Sequence, residues 1–143
     1  MITTTQQVAI VQNCDTIITT LKTVQREDAH ARTYLGGHFE TMLSKYLKPL
    51  NRRLIENDIS NTSLVENQTK FSSAKSAFVY DYITYQKSLE ELVATDCKNN
   101  PEDFYEKLVT TRQQRSAVAQ DITSLKELTT QHLTITKTLG EQL

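Results

Sequence analysis

Few side chains in this 143-residue chain can do chemistry. It has two cysteines, Cys14 and Cys97, and three histidines. Cys97 sits in "TDCKNNPEDFYEKL", between Asp96 and Lys98. Those two charges offset one another, so nothing local favours a reactive thiolate. The cysteines are far apart and no Cys/His cluster accompanies them, which does not suit a zinc site. They remain as two unrelated thiols or as one disulfide. "REDAH" carries Glu27-x-x-His30, a carboxylate and an imidazole on one helix face. Di-iron bundles need two such pairs and two further glutamates. No second Glu-x-x-His occurs, so no metal and no cofactor is expected. Nucleophile elbows and phosphate loops of the common types are absent. "NTS" and "NQT" are formal glycosylation sequons at Asn61 and Asn67, meaningful only in a eukaryotic secretory setting. No catalytic residue is assigned, and the expectation is that the chain is not an enzyme.

Composition narrows the classes further. Sixteen Lys and Arg against 17 Asp and Glu give a formal net charge of -1. Only Arg52 and Arg53 form an adjacent basic pair. That balance offers nucleic acid or an anionic membrane no electrostatic footing. No stretch approaches the ~20 apolar residues of a membrane helix. Met1 to Gln7 is polar, and Gln12, Asn13 and Asp15 break the next apolar run, so no export leader is visible.

The elements that position these residues are helices. Three glycines and two prolines allow few turns. Ile10, Cys14, Ile17, Leu21, Val24, Asp28, Ala31 and Leu35 recur in fours and threes. The phase runs on through Phe39, Met42, Tyr46, Leu50 and Leu54, which is the seam of a bundle helix. Gly36-Gly37 lacks flanking turn chemistry, and Pro49 should kink rather than reverse the chain. The reading is one long, bent helix over about residues 5–57, with a break at the glycines as the alternative. "NDISNTSL" is a turn, with Asn61 or Thr62 to cap the next helix. A second helix over 62–94 carries Leu64, Phe71, Phe78, Tyr82, Tyr85, Leu89 and Leu92. Asn100 and Pro101 then open a third, over 101–139, with Gly140 as its stop. His132 falls on its apolar seam, as a core or boundary histidine.

The fold expected is therefore all-α: a single domain, residues 1–143, built as an elongated up-down-up three-helix bundle. A break at Gly36-Gly37 would make it a four-helix bundle. Measured from the loop centres, Gly37 is level with Tyr82, His38 with Asp81, and Asp81 with Arg115. This predicts a mid-bundle polar layer of His38, Asp81 and Arg115, with the glycines leaving room for the aromatic run "FVYDYITY". It also sets Cys97 about 12 Å from Cys14 along the bundle. A Cys14–Cys97 disulfide becomes possible if the second helix ends near Val93 and the chain then runs extended. Such a bridge is the favoured reading of the two cysteines.

"VATDCKNNPEDFYEKLVTTRQQR" resembles a segment of uncharacterised helical proteins from small-genome, uncultured candidate-phylum bacteria. Their Cys-x-x-x-Pro-x-x-Phe-Tyr and Arg-x-x-Arg pattern is matched by Cys97, Pro101, Phe104, Tyr105, Arg112 and Arg115. "CDTIITTLK" and "NDISNTSL" are similar to the corresponding parts. The resemblance implies an exported or envelope-associated protein, strengthens the case for an extracytoplasmic disulfide, and carries no activity.

The functional expectation is a non-enzymatic structural or protein-interaction bundle of the cell envelope or exterior. An unbroken first helix outruns the second, so its first turns should project with Val11, Ile17 and Ile18. Tyr80 lies off the seam of the second helix. These four residues are the candidate interaction surface, for a protein partner or a second copy of the chain. The alternative is a sensor or ligand-binding bundle that uses the polar layer or a cavity beneath the glycines.

Overall fold

The structure, a computed structural model, describes residues 1–143. It is all-α, with no strand. In chain order the elements are α1 (Thr4–Gln12), α2 (Cys14–Thr41), a π-helical segment (Met42–Leu47), α3 (Lys48–Glu56), α4 (Thr62–Val93) and α5 (Pro101–Gln142).

Each boundary has a local cause. Thr3 caps α1 in a reciprocal box with Gln6. Asn13 ends α1, its side chain and its backbone N–H both donating to the Ala9 carbonyl. The helix restarts at Cys14. The α3–α4 turn is a Schellman motif: Ile59 N–H donates to Leu54, and Asp58 N–H to Ile55. Asp58 takes the left-handed conformation this requires, at φ 56°. The accompanying apolar contact is present, because Ile59 packs on the cluster of Leu54, Leu64 and Leu139. Asn61 then caps α4 through the Leu64 N–H. At the far end α4 stops at Val93. Asp96 accepts from the N–H groups of Lys98 and Asn99 and folds the chain into a tight turn before Pro101. α5 passes through Gly140 to Gln142, so that glycine does not stop it.

The first limb is helical across Gly36-Gly37, so no break occurs there. Nor do the glycines make room for aromatic rings. A Cβ added at Gly36 or Gly37 would meet nothing within 4 Å. The irregularity falls instead on Met42–Leu47. Pro49 has no N–H to give to the preceding turn. The wide π turn meets this demand, with Lys48 N–H reaching back five residues to Leu43. It also absorbs an extra residue and shifts the buried phase by one. Leu43 and Leu47 are buried where the regular seam expects Met42 and Tyr46, and Tyr46 is left exposed.

Threonine, at 21 residues, is a poor choice for helices this long. Eleven of the threonines donate their hydroxyl to the carbonyl four residues earlier. The side chain thus satisfies itself within its own helix and needs no outside partner.

Contacts gather into two compact units: Met1–Thr33 with Tyr80–Val118, and Tyr34–Val79 with Ala119–Leu143. The first buries Ile10, Leu89, Leu92 and Phe104 together with both cysteines. The second centres on Phe39, whose ring meets Phe71 and Phe78 edge-on at 6.2 and 5.3 Å. In it Asn67 donates to the Leu128 carbonyl, which pins α4 to α5.

Because Gly36 and Gly37 occupy regular helix beside open space, alanine is expected to improve both positions. Gly36→Ala and Gly37→Ala should each raise stability by roughly 0.5–1 kcal/mol, additively within error. Urea titration checks this, and a loss of stability in either variant would show that the bare backbone has a packing role.

Candidate functional site

The polar side chains that meet within the first unit centre on Asp28. Periodicity puts Asp28 on the seam of α2, where every other seam position nearby is apolar or small. Its side chain is only 16% exposed. A carboxylate so placed must find donors. Tyr85 Oη donates to Oδ2 at 2.5 Å. Arg115 supplies two more bonds, Nε to Oδ2 at 2.9 Å and Nη2 to Oδ1 at 3.2 Å. Tyr82 Oη donates to the Asp28 carbonyl at 2.6 Å. One turn on, Arg32 donates to Gln86. The cluster therefore joins α2, α4 and α5 through one residue of the first limb.

Its electrostatics favour permanence over reactivity. Burial, with the Asp28 hydrogen bond and charge behind it, drives the Tyr85 phenol well above the ordinary tyrosine range. Burial and then Asp28 push Tyr82 the same way. The Asp28 hydrogen bond holds Arg115 more firmly charged. The tyrosines thus keep their protons and spend them on Asp28. Neither is placed to act as a base or nucleophile near neutral pH.

Arg115 is the member of the expected polar layer that the cluster uses, and its carboxylate partner is Asp28 rather than Asp81. His38 instead sets its ring edge-on against Tyr34, one turn earlier on α2, with centroids 4.5 Å apart. Asp81 is half-buried on α4 and makes no ion pair within 4 Å. The displacement has a simple origin. Counting from the loops gives a height and not the way a side chain faces: Tyr82 and Tyr85 lie on the buried face of α4, and Asp81 does not.

The cysteines meet, as the disulfide reading required. Cys14 and Cys97 form a bridge with Cα atoms 5.7 Å apart, closing a span of 83 residues. α4 does end at Val93, but the chain beyond it makes a turn and not an extended run: Ala94 still bonds Glu90, and Thr95 bonds Leu92. Both cysteines are buried. Lys98 pairs with Asp15 beside the bridge at 3.1 Å, and Gln6 reaches Tyr105 at 3.2 Å. These contacts lay the start of the first limb on its own unit. Ile10 is buried, and Ile17 and Ile18 are half-buried, so the expected projection of the early turns does not occur. Of the four candidate surface residues, Val11 and Tyr80 are exposed, Tyr80 at 72%.

In the second unit His132 is 6% exposed, and its Nδ1 has no hydrogen-bond partner. Burial pulls its pKa below the ordinary histidine value. Among the surface clefts of this unit, two have apolar walls. One of about 400 Å³ lies at the α3–α4 turn, between Leu54, Ile55 and Val65. The other, of about 420 Å³, has a floor of Leu35, Phe39 and Met42, with His38 and Lys126 at its edge. No group of three His, Cys, Asp or Glu side chains could hold a metal ion. Asn67 is buried and spent on Leu128, which removes one sequon from consideration. No helix is long and apolar enough to cross a membrane.

Comparison with known proteins adds no constraint: no family model, no curated protein and no solved structure matches the chain.

Asp28→Asn leaves the shape of the cluster and removes the charge that Arg115 and Tyr85 address. It should cost about 2 kcal/mol, and Tyr85→Phe about 1 kcal/mol. In the double variant the two losses should fall short of additive by at least ~0.5 kcal/mol. Full additivity in urea melts would deny the coupling.

His132 sets a pH dependence whose sign follows from its depressed pKa. Between the folded value and the unfolded value near 6.5, the unfolded chain binds the extra proton. The stability contribution is complete above about pH 6.5 and is lost as pH falls through and below it. His132→Leu should flatten the slope of stability between pH 7 and 5. An unchanged slope would assign the acid loss to carboxylates alone.

Proposed function

We propose that the chain is a non-enzymatic structural or protein-interaction module that works outside the cytoplasm, in the cell envelope or exterior. The helices are read as an up-down-up three-helix bundle, with Thr4–Glu56 as the first limb and α4 and α5 as the second and third. The observation that carries the proposal is the Cys14–Cys97 bridge. It takes both thiols of the chain out of chemistry and into cross-linking. Such bonds persist in oxidising compartments and are rare where thiols are kept reduced. The Asp28 cluster supports the same reading, since its polar groups bind one another and present little to a substrate.

A second reading has one observation in its favour. The 420 Å³ cleft pairs an apolar floor with two basic groups, His38 and Lys126, in a size range used by small ligands. That is the chemistry of a site for an acidic amphiphile.

The two readings separate experimentally. Protein recovered from its native compartment, denatured under a thiol-trapping reagent, should show no free thiol. Cys14→Ser/Cys97→Ser should lose about 4 kcal/mol of stability, the loop-closure value for a bridge of this span. Two free thiols in native material would overturn the extracytoplasmic assignment. A thermal-shift panel of fatty acids, inorganic anions and divalent metals should leave the melting temperature unmoved. A dose-dependent rise with a fatty acid, abolished by Lys126→Glu, would instead establish the ligand-binding reading.

A further inference from the structure

The formal net charge of -1 is a total, and it hides where the charge lies. Between Thr41 and Ile55 the first limb carries Lys45, Lys48, Arg52 and Arg53 and no acidic residue. All four are exposed. Lys45, Lys48 and Arg52 follow in steps of three and four, which sets them along one face, turned away from the buried Leu47, Asn51 and Leu54. Arg53 flanks them. Elsewhere basic groups are engaged within the fold: Arg115 binds Asp28, Lys75 binds Glu40, Lys98 binds Asp15 and Lys107 binds Asp103. On this stripe only Arg52 has an ion pair, a loose one with Glu56 at 4.0 Å, and both side chains stand mostly in water. The other carboxylates nearby do not cancel the stripe. Glu40 is held by Lys75 and Ser44, with Lys48 a lesser neighbour. Asp58 lies in the turn beyond α3. Glu66 leaves α4 about 160° round the helix from Gln68, which faces Asn51. Two apolar side chains border the stripe. The π turn leaves Tyr46 58% exposed on one edge, and Ile55 is 69% exposed on the other, at the α4 side. Such π turns recur at functional sites. All of these residues belong to one compact unit.

We propose that the outer face of residues 45–55 is a docking surface for an anionic lipid membrane. Lys45, Lys48, Arg52 and Arg53 spread their charges over about 12 Å of the limb, within reach of neighbouring lipid phosphates. Arginine can take a phosphate in a bidentate fork, and lysine meets it as a point charge. Tyr46 and Ile55 decide between anionic partners. A soluble polyanion offers charge alone. An acidic protein would have to match the stripe and both of its borders at once. A lipid surface is fluid and lies flat against the convex face of a helix. It presents charge with an apolar layer beneath, where an aromatic ring sits at headgroup level and an aliphatic side chain enters. The contact is peripheral, a few side chains in the headgroups. Four basic groups are at the lower end of what holds a protein to such a surface, so the binding is weak and salt-sensitive. The site goes beyond the protein-interaction reading and rests on it only for the envelope location.

Flotation of the oxidised full chain with vesicles is the test. Vesicles of phosphatidylcholine with about 30% phosphatidylglycerol should carry the protein, and pure phosphatidylcholine should not. Raising the salt from about 0.1 to about 0.5 M should release it. Each basic residue strengthens such binding about fivefold, so Lys48→Glu/Arg52→Glu should lower the partition coefficient about tenfold or more. Tyr46→Ser/Ile55→Ser should lower it about threefold or more and leave any binding to soluble polyphosphate unchanged. Glu56→Gln removes the one acid beside the stripe and should tighten vesicle binding about twofold. Every substituted position is exposed, so circular dichroism should match wild type. If the charge reversal unfolds the chain, the gain from Glu56→Gln decides. Anionic vesicles that leave the wild-type chain behind, or that carry the folded reversal equally well, overturn the site. Equal binding to both kinds of vesicle does the same. A Tyr46→Ser/Ile55→Ser chain that floats as well as wild type overturns the lipid assignment in favour of a soluble polyanion. Failure on vesicles by a chain without free thiols leaves the extracytoplasmic reading standing. Free thiols in native material, with vesicle binding intact, overturn that reading and not the site.

Discussion

A carboxylate held at 16% exposure among tyrosines is costly unless every lone pair it turns inward finds a donor. Asp28 meets that condition through Tyr85 and Arg115, which come from two different helices. Its own carbonyl adds Tyr82. Apolar seams can slide by a turn at modest cost, because one leucine replaces another. A half-buried ion with three directed donors resists sliding, since a shift leaves it unpaired. The register of α2 against α4 and α5 in the first unit follows from this. The disulfide then fixes the same unit from its other end, where Cys14 and Cys97 meet.

The second unit is fastened by other contacts. Its registration comes from shape and from amides: the edge-on rings of Phe39, Phe71 and Phe78, and the bonds from Asn51 and Asn67 to main-chain carbonyls. Lys75 and Glu40 add an ion pair at its rim. A buried amide gives direction at a smaller desolvation cost than a charge. The π turn belongs to the same logic. Once Pro49 withholds its N–H, the limb must either bend or widen. Widening turns Leu43 and Leu47 into the core and Tyr46 out of it.

Features with short-range causes were legible in the sequence. The turn at "NDISNTSL", the cap at Asn61, the start at Pro101 and the inner stripe of α4 each depend on a few neighbouring residues. The disulfide was legible in part: α4 stops at Val93 as the bridge required, but the chain beyond it turns where an extended run was expected. Facing pairs across helices were not legible. Counting residues from a loop gives a height along a helix and not the direction in which a side chain faces. Hence the counting pairs Arg115 with Asp81 and His38, when its partner is Asp28. A signal for Asp28 did exist, as the one charged residue on an otherwise apolar stretch of the α2 seam. Periodicity alone treats such a residue as tolerated rather than paired. The glycines misled in the opposite direction. Two adjacent glycines suggest a close approach, yet neither has a neighbour that a Cβ would touch.

The same contrast bears on the roles of the two faces of α4. Inside, Tyr82 and Tyr85 turn their hydroxyls to Asp28, and the phenylalanines fill the space around Phe39. Outside, Tyr80 stands clear of every such partner, with Ile83 and Val79 beside it. Threonines elsewhere bond back to their own helix and so stay compatible with water. Tyr80, Val79 and Ile83 have no equivalent way to satisfy themselves, because apolar surface is satisfied only by contact. The chain spends its thiols and the Asp28 carboxylate on internal fastening, and it leaves Val79, Tyr80 and Ile83 uncovered on the outer face of α4.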